Sequence, residues 1–355
     1  MCDSSDKKNR PARKVVPLEE AVGMRLEHDI TEIRQDEFKG RAFRRGHRVC
    51  RMDIERLRDL GKNNLFVLSL ADDEMHEDDA ALALAAALAG EGIAMQDGPR
   101  EGKVNLIAAR DGLLKVNREA LLAMNMLGEV ACSTLHDNTL VKKGRVVAGT
   151  RAIPLVVKKD VIDEAARIAK SAGGIIRLRD VRKPLAGIVI TGSEVYYGRK
   201  KDAFSAVMEG KIESLGGRII GKYYAPDDES FIKDRLDELI GAGADLLVVT
   251  GGMSVDPDDV TRFALKRVGV RDVVYGSPVI PGSMVLVGYV EGEKTIPVIG
   301  VPACGMYHKT TVFDLLLPRI LAGERIGRKE LAEMGHGGLC LGCRECVYPM
   351  CPFGK

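Results

Sequence analysis

Tryptophan is absent from this 355-residue chain, and only 5% of its residues are aromatic. Too few flat side chains remain to build a stacking platform for single-stranded nucleic acid. An excess of one charge is missing too: 53 Lys and Arg stand against 51 Asp and Glu, a net +2, so there is no global field for nucleic acid or membrane. No apolar run approaches the ~20 residues that cross a bilayer, and none follows Met1 as a secretory leader would. The expectation is a soluble, cytoplasmic protein that binds neither nucleic acid nor membrane. Two ligand motifs are also missing. No G-x-G-x-x-G follows a strand and no G-x-x-x-x-G-K-[ST] occurs, which excludes the usual dinucleotide and P-loop sites. Fixed-period repeats and low-complexity tracts are likewise absent.

What is present is a 45% hydrophobic content, enough for a sizeable core, over a length that suits two or three domains. Residues 1–14 carry Lys7, Lys8, Arg10, Arg13 and Lys14 and read as a disordered, solvated tail. Residues 15–72 read as a short helical start, broken pieces of β character in LEHDITEIRQDEFKGRAFRRGHRV, then a helix, a Gly61 stop and a strand. His28, Asp29, His47 and Asp53 lack metal-ligand spacing and read as caps and turn residues. Residues 73–183 open on the Ala-rich helix HEDDAALALAAALAG. From 103 to 157 they read as strands punctuated at Asp111-Gly112 and Lys143-Gly144. A helix from Asp160 to Ala172 and a strand then lead to a boundary at Lys183-Pro184, so this region is a smaller α+β or mostly β module.

From 184 to 325 strands and helices alternate regularly, which predicts a three-layer α/β domain with a parallel sheet. Gly187-Ile188-Val189-Ile190 leads into Thr191-Gly192-Ser193-Glu194. Asp245-Leu246-Leu247-Val248-Val249 leads into Thr250-Gly251-Gly252-Met253-Ser254-Val255-Asp256-Pro257-Asp258-Asp259. Both turns belong at the carboxyl edge of the sheet, where open α/β folds bind ligands. Their glycines let backbone N–H groups approach a phosphate. Asp256, Asp258 and Asp259 would repel that anion without a cation between, so the pattern points to phosphate held with Mg²⁺.

ITGSE, VVTGGMSVDPDDVT, IPGSM and IGVPACG together resemble the successive motifs of the molybdopterin-binding domain shared by molybdopterin adenylyltransferase and molybdopterin molybdenumtransferase. The resemblance covers roughly 184–325, and HDITEI with FKGRAFRRGH is similar to part of the longer molybdenumtransferases. It implies an enzyme of molybdenum cofactor biosynthesis that binds adenylylated molybdopterin and, with Mg²⁺, inserts its substrate molybdate as AMP leaves. Thr191, Gly192 and Glu194 match the first motif, and Gly251, Gly252, Ser254 and Asp259 the second. Pro281 and Gly282 match the third and Pro302 the fourth. Glu194 and Asp259 are then the catalytic and Mg²⁺ carboxylates. The glycines and Ser254, with Ser193, Thr250, Asp256 and Asp258 beside them, hold phosphate and pterin. The resemblance also implies a homo-oligomer, and a recipient molybdoenzyme or another cofactor-biosynthesis protein as partner.

The chain departs from that pattern at three places. The Lys-rich K-P-G-K-P of molybdenumtransferases is VIPGSMV here, without the positive charge that would hold an oxyanion. Their P-G-N-P is Pro302-Ala303-Cys304-Gly305, and their S-A-M-D-G segment is not found. Lys309 or His308 is placed to return charge from the following helix. Two other readings stay open: a non-catalytic carrier or sensor of the cofactor, which the lost lysines favour, and a nucleotide-diphosphate hydrolase on the same domain. Cys304, at a helix start, is expected to have a lowered thiol pKa, unless it is a small buried residue.

Residues 326–355 change character. Cys340, Cys343, Cys346 and Cys351 are spaced C-x2-C-x2-C-x4-C, with Pro352 next. Thiols this close in a Gly-rich stretch of a reduced protein argue for a metal knob rather than disulfides. Zn²⁺ and an iron–sulfur cluster both fit, and the lack of a second cysteine set tilts the expectation to zinc.

Overall fold

The computed structural model describes residues 13–34, 38–68, 70–100, 102–252 and 260–354. The expectations placed on Ser254, Asp256, Asp258 and Asp259, and on residues 1–12, lie outside the described residues. The chain divides into two compact units. One holds the described residues of 1–109, 116–135 and 144–177, the other those of 110–115, 136–143 and 178–355.

In the first unit Arg13–Pro17 pairs antiparallel with Asn64–Leu68, and Ile30–Arg34 with Phe38–Phe43. Val16, Leu26, Ile30, Phe43, Leu57 and Val67 close a small core there. A four-stranded antiparallel sheet follows, in the order Ile93–Met95, Lys103–Ala108, Val146–Ala152, Val130–Thr134. Helix Glu77–Leu88 packs on this sheet and on helix Lys159–Ser171. Its Ala80, Ala81 and Ala85 are buried with Leu84 and Leu88, so small side chains set a close approach. One stretch expected among strands is a helix, Arg118–Asn125. Asn117 Oδ1 accepts the Ala120 N–H at 3.0 Å, and this cap starts a turn of Leu, Ala, Met and Glu that favour helix.

His76 caps the Ala-rich helix: its Nδ1 accepts the Asp78 N–H at 3.1 Å, which fixes the neutral ring. Burial, reinforced by the Arg25 guanidinium, lowers its pKa from 6.5 to about 4. The unfolded chain therefore takes up a proton that the folded chain refuses, and stability falls as pH drops from about 6.5 towards about 4. His76→Gln should flatten that part of the stability curve, read from urea midpoints across the window. An unchanged slope would show that other groups set it.

The second unit is built on β1 (Leu185–Thr191), β2 (Arg218–Ala225), β3 (Leu246–Thr250), β4 (Val270–Tyr275), β5 (Leu286–Val290) and β6 (Ile296–Val301), in the order β2-β1-β3-β6-β5-β4. β2, β1, β3 and β6 run parallel, and β5 and β4 close the sheet antiparallel. The four parallel strands are the expected parallel sheet, and two antiparallel strands extend it at one side. Only residues 291–295 join β5 to β6, and a link that short can only return the chain antiparallel.

β1 and β3 are covered on both faces, as their unbroken apolar runs require. Ile188, Ile190, Leu246 and Val248 pack with Phe313 and Leu316 of helix Val312–Leu321. The alternate residues Val189, Leu247 and Val249 pack with Ile232, Leu236 and Leu239 of helix Glu229–Gly241. The result is the expected three layers. Residues 110–115 and 136–143 also belong to this unit, where Lys115 reaches Glu324 at 2.7 Å and Asn138 at 2.6 Å. Among the described residues no helix is long and apolar enough to cross a membrane.

Candidate functional site

Parallel register brings the two glycine turns together. Ile190 of β1 lies beside Thr250 of β3, and Thr250 beside Val301 of β6. The chain leaves all three strands at one edge, into Gly192, Gly251 and Pro302. Pro281 and Gly282 reach the same place from the β4–β5 loop. These turns line a single cleft of about 840 Å³, together with Glu194, Lys200, Lys201, Asp227 and Cys304.

The cleft floor is pinned by threonines. Thr191 Oγ1 donates to the Thr250 carbonyl at 2.9 Å and lies 3.1 Å from Thr261 Oγ1. Thr250 is fully buried and is not among the lining residues, so it supports the floor from beneath. Close approach explains the glycines. At Gly251, with φ +89°, a Cβ would sit 2.4 Å from the Thr191 carbonyl oxygen. At Gly252, with φ +57°, it would sit 2.2 Å from Thr261 Oγ1.

Ser193 does not line the cleft either. Its N–H donates to Asp227 Oδ2 at 2.8 Å, and its Oγ accepts the Asp227 N–H at 3.2 Å. That pairing aims Asp227 into the site. Glu194 opens a one-turn helix, Ser193–Tyr196, and its carboxylate stands 3.7 Å from Lys200 Nζ. Both partners are exposed, so this ion pair is weak and Lys200 is free to turn towards a ligand.

The sequence reading missed Lys200, Lys201 and Asp227. The two lysines follow the first turn in the basic run Arg199-Lys200-Lys201. They supply positive charge that the third motif lacks. Lys309 and His308, proposed for that task, line a different cavity. Cys304 lines the cleft, but burial pushes its thiol above the ordinary range, against the expected lowering. It sits in a 3₁₀ turn, Ala303–Met306, that is too short to offer a helix dipole.

Cys340, Cys343, Cys346 and Cys351 line that second cavity, of about 350 Å³. Among the described residues there is no group of three or more His, Cys, Asp or Glu that could hold a metal ion.

Glycine turns, lysines and carboxylates at the carboxyl edge of a parallel sheet define an α/β domain for a polar organic ligand with anionic groups. Residues 187–322 match the family described as a probable molybdopterin-binding domain, and residues 15–69 match a domain of unknown function. The chain thus carries a domain of the molybdopterin-binding family, of the molybdenum-cofactor-biosynthesis type.

A CinA-like protein of Syntrophus aciditrophicus is 37% identical over 81 residues, 23% of this chain and 19% of that protein. Protein PAE0875 of Pyrobaculum aerophilum is 34% identical over 93 residues, 26% of this chain and 35% of its own length. The matches thus span well under half of these curated relatives. A solved structure of the molybdopterin biosynthesis enzyme MoaB from Thermus thermophilus is 18% identical with a TM-score of 0.33, covering 40% of this chain and 98% of that one. The tungsten cofactor synthesizing protein MoaB from Pyrococcus furiosus is 17% identical with a TM-score of 0.31, covering 39% and 91%.

Proposed function

We propose that the cleft binds adenylylated molybdopterin and that the chain inserts molybdate into it with release of AMP. The observation that carries this reading is the convergence of all four glycine and proline turns on one cleft that also holds Lys200 and Lys201. A pterin diphosphate is long and doubly anionic, and a cleft of about 840 Å³ with two cations at its wall suits it. The lost third-motif lysines are thereby offset from a neighbouring loop, which favours insertion over a passive carrier.

Glu194 and Asp227 are hard oxygen donors in the same cleft, and the residues present fit Mg²⁺. Bound there, Mg²⁺ supplies charge neutralisation at the diphosphate. The protein's part is positioning: Thr191 holds the floor, Ser193 holds Asp227, and the lysines take the phosphates.

The test is AMP release from adenylylated molybdopterin by the purified chain with Mg²⁺, with and without molybdate. Molybdate-dependent AMP is expected. Glu194→Ala should lower it by about 10²-fold, the scale of removing one preorganised charged group. AMP made without molybdate would establish the hydrolase instead, and tight binding with no AMP would leave a carrier.

A further inference from the structure

We propose that the open face of the four-stranded sheet in the first unit is an oxyanion site, which takes a phosphoryl group between Lys103 and Arg151. Helix Glu77–Leu88 covers one face of that sheet. Strand Lys103–Ala108 alternates to suit, with Val104, Leu106 and Ala108 buried and Lys103 exposed. On the other face Lys103, Arg151, Gly149, Ala131 and Ser133 line a cavity.

Register sets the two cations face to face. Arg151 is the cross-strand partner of Lys103, and Gly149, two residues earlier, is the partner of Ser133 on the next strand. Like charges directly opposite one another destabilise a strand pair. A carboxylate can remove that cost, as Asp73 and Glu74 neutralise Lys158 at the edge of the same unit. Here none does: among the described residues neither Lys103 nor Arg151 makes an ion pair, and no residue lining the cavity is acidic. A bound anion would supply the missing charge.

The donors are arranged for a phosphoryl group. Arg151 Nε donates to the Ala152 carbonyl at 3.2 Å, which holds the guanidinium on the sheet and leaves its terminal nitrogens unpaired among the described residues. Gly149 keeps the floor low. A Cβ there would stand 3.2 Å from Lys103 Cε and 3.9 Å from its Nζ, so the lysine lies across the glycine with its ammonium over the floor. Ser133 adds a hydroxyl from the far side. The planar fork takes two oxygens of an anion, and the ammonium and hydroxyl take a third. A carboxylate, with two oxygens, would leave donors idle. The site belongs to a different unit from the pterin cleft, and it stands whatever reaction that cleft performs.

Inorganic phosphate and glycerol 3-phosphate, a free and an esterified phosphoryl group, are titrated calorimetrically into the full chain at low salt. Saturable binding is expected, and Lys103→Ala/Arg151→Ala should weaken it at least about 10-fold, the scale of losing charge-assisted hydrogen bonds. Both side chains are exposed, so that variant keeps its core, checked by circular dichroism. Lys200→Ala/Lys201→Ala, altered in the cleft, should keep the event. So should Lys142→Ala/Lys170→Ala, which removes equal charge from exposed positions elsewhere. Tighter binding of the ester would assign the site to an organic phosphate, and equal or tighter binding of the free ion to the inorganic anion; the proposal holds in both cases. No saturable binding, binding that only the cleft variant loses, or an equal loss on removing Lys142 and Lys170 would overturn it.

Discussion

Gly251→Ala should cost both the fold and the ligand. The new Cβ would lie 2.4 Å from the Thr191 carbonyl oxygen, and that oxygen is backbone at the end of β1, with no rotamer to yield. The φ of +89° adds left-handed strain, about 1–3 kcal/mol by itself. Relief requires β1 and β3 to part at the point where Thr191 Oγ1 bonds the Thr250 carbonyl. The expected result is a stability loss of about 2–4 kcal/mol in urea, combining the φ strain with the displaced contact. Pterin affinity should drop by about 10²-fold, since an ångström-scale misplacement disables a positioned site. Gly241→Ala is the control: a Cβ there meets open space, in a helix that Ala favours, so it should leave stability equal or about 0.5 kcal/mol higher. Equal behaviour of the two variants would remove close approach as the reason for Gly251.

The second large effect belongs to the core. Phe313 is fully buried at the start of helix Val312–Leu321 and packs in the layer that holds Ile188, Ile190 and Val248. Phe313→Ala should lower stability by about 3–5 kcal/mol through lost transfer energy and the cavity left behind. The denaturant midpoint should move with the slope unchanged. A loss below about 1 kcal/mol would mean that the layer collapses around the gap and is not close-packed there.

Local pattern carried much of this architecture. The apolar runs of β1 and β3, the stripe of Ile232, Leu236 and Leu239, and the stop at Gly61 are read from neighbours in sequence, and the elements form where those patterns stand. Three features depended on distance instead. The antiparallel closure at β5 and β4 follows from a short link whose consequence appears only once the neighbouring strand is known. Asp227 enters the cleft because Ser193, 34 residues earlier, grips it from both sides. Lys200 and Lys201 belong to a short basic run that carries no signal of its own, and only the fold shows that they line the cleft. Helix Arg118–Asn125 had local signals, the Asn117 cap and a run of Glu, Ala, Leu and Met, but it sits between strands Gly112–Val116 and Val130–Thr134 and was passed over among them.

The most direct measurement is an equilibrium titration of adenylylated molybdopterin against the full chain and the Lys200→Ala/Lys201→Ala variant, at low and at high salt. One site per chain is predicted. Two cations facing a diphosphate inside a cleft contribute more than a surface pair, so the double variant should bind at least about 10-fold more weakly. Its affinity should also depend less on salt than that of the parent chain. No binding by the parent chain, or equal affinity in both proteins at low salt, would contradict the assignment of this cleft.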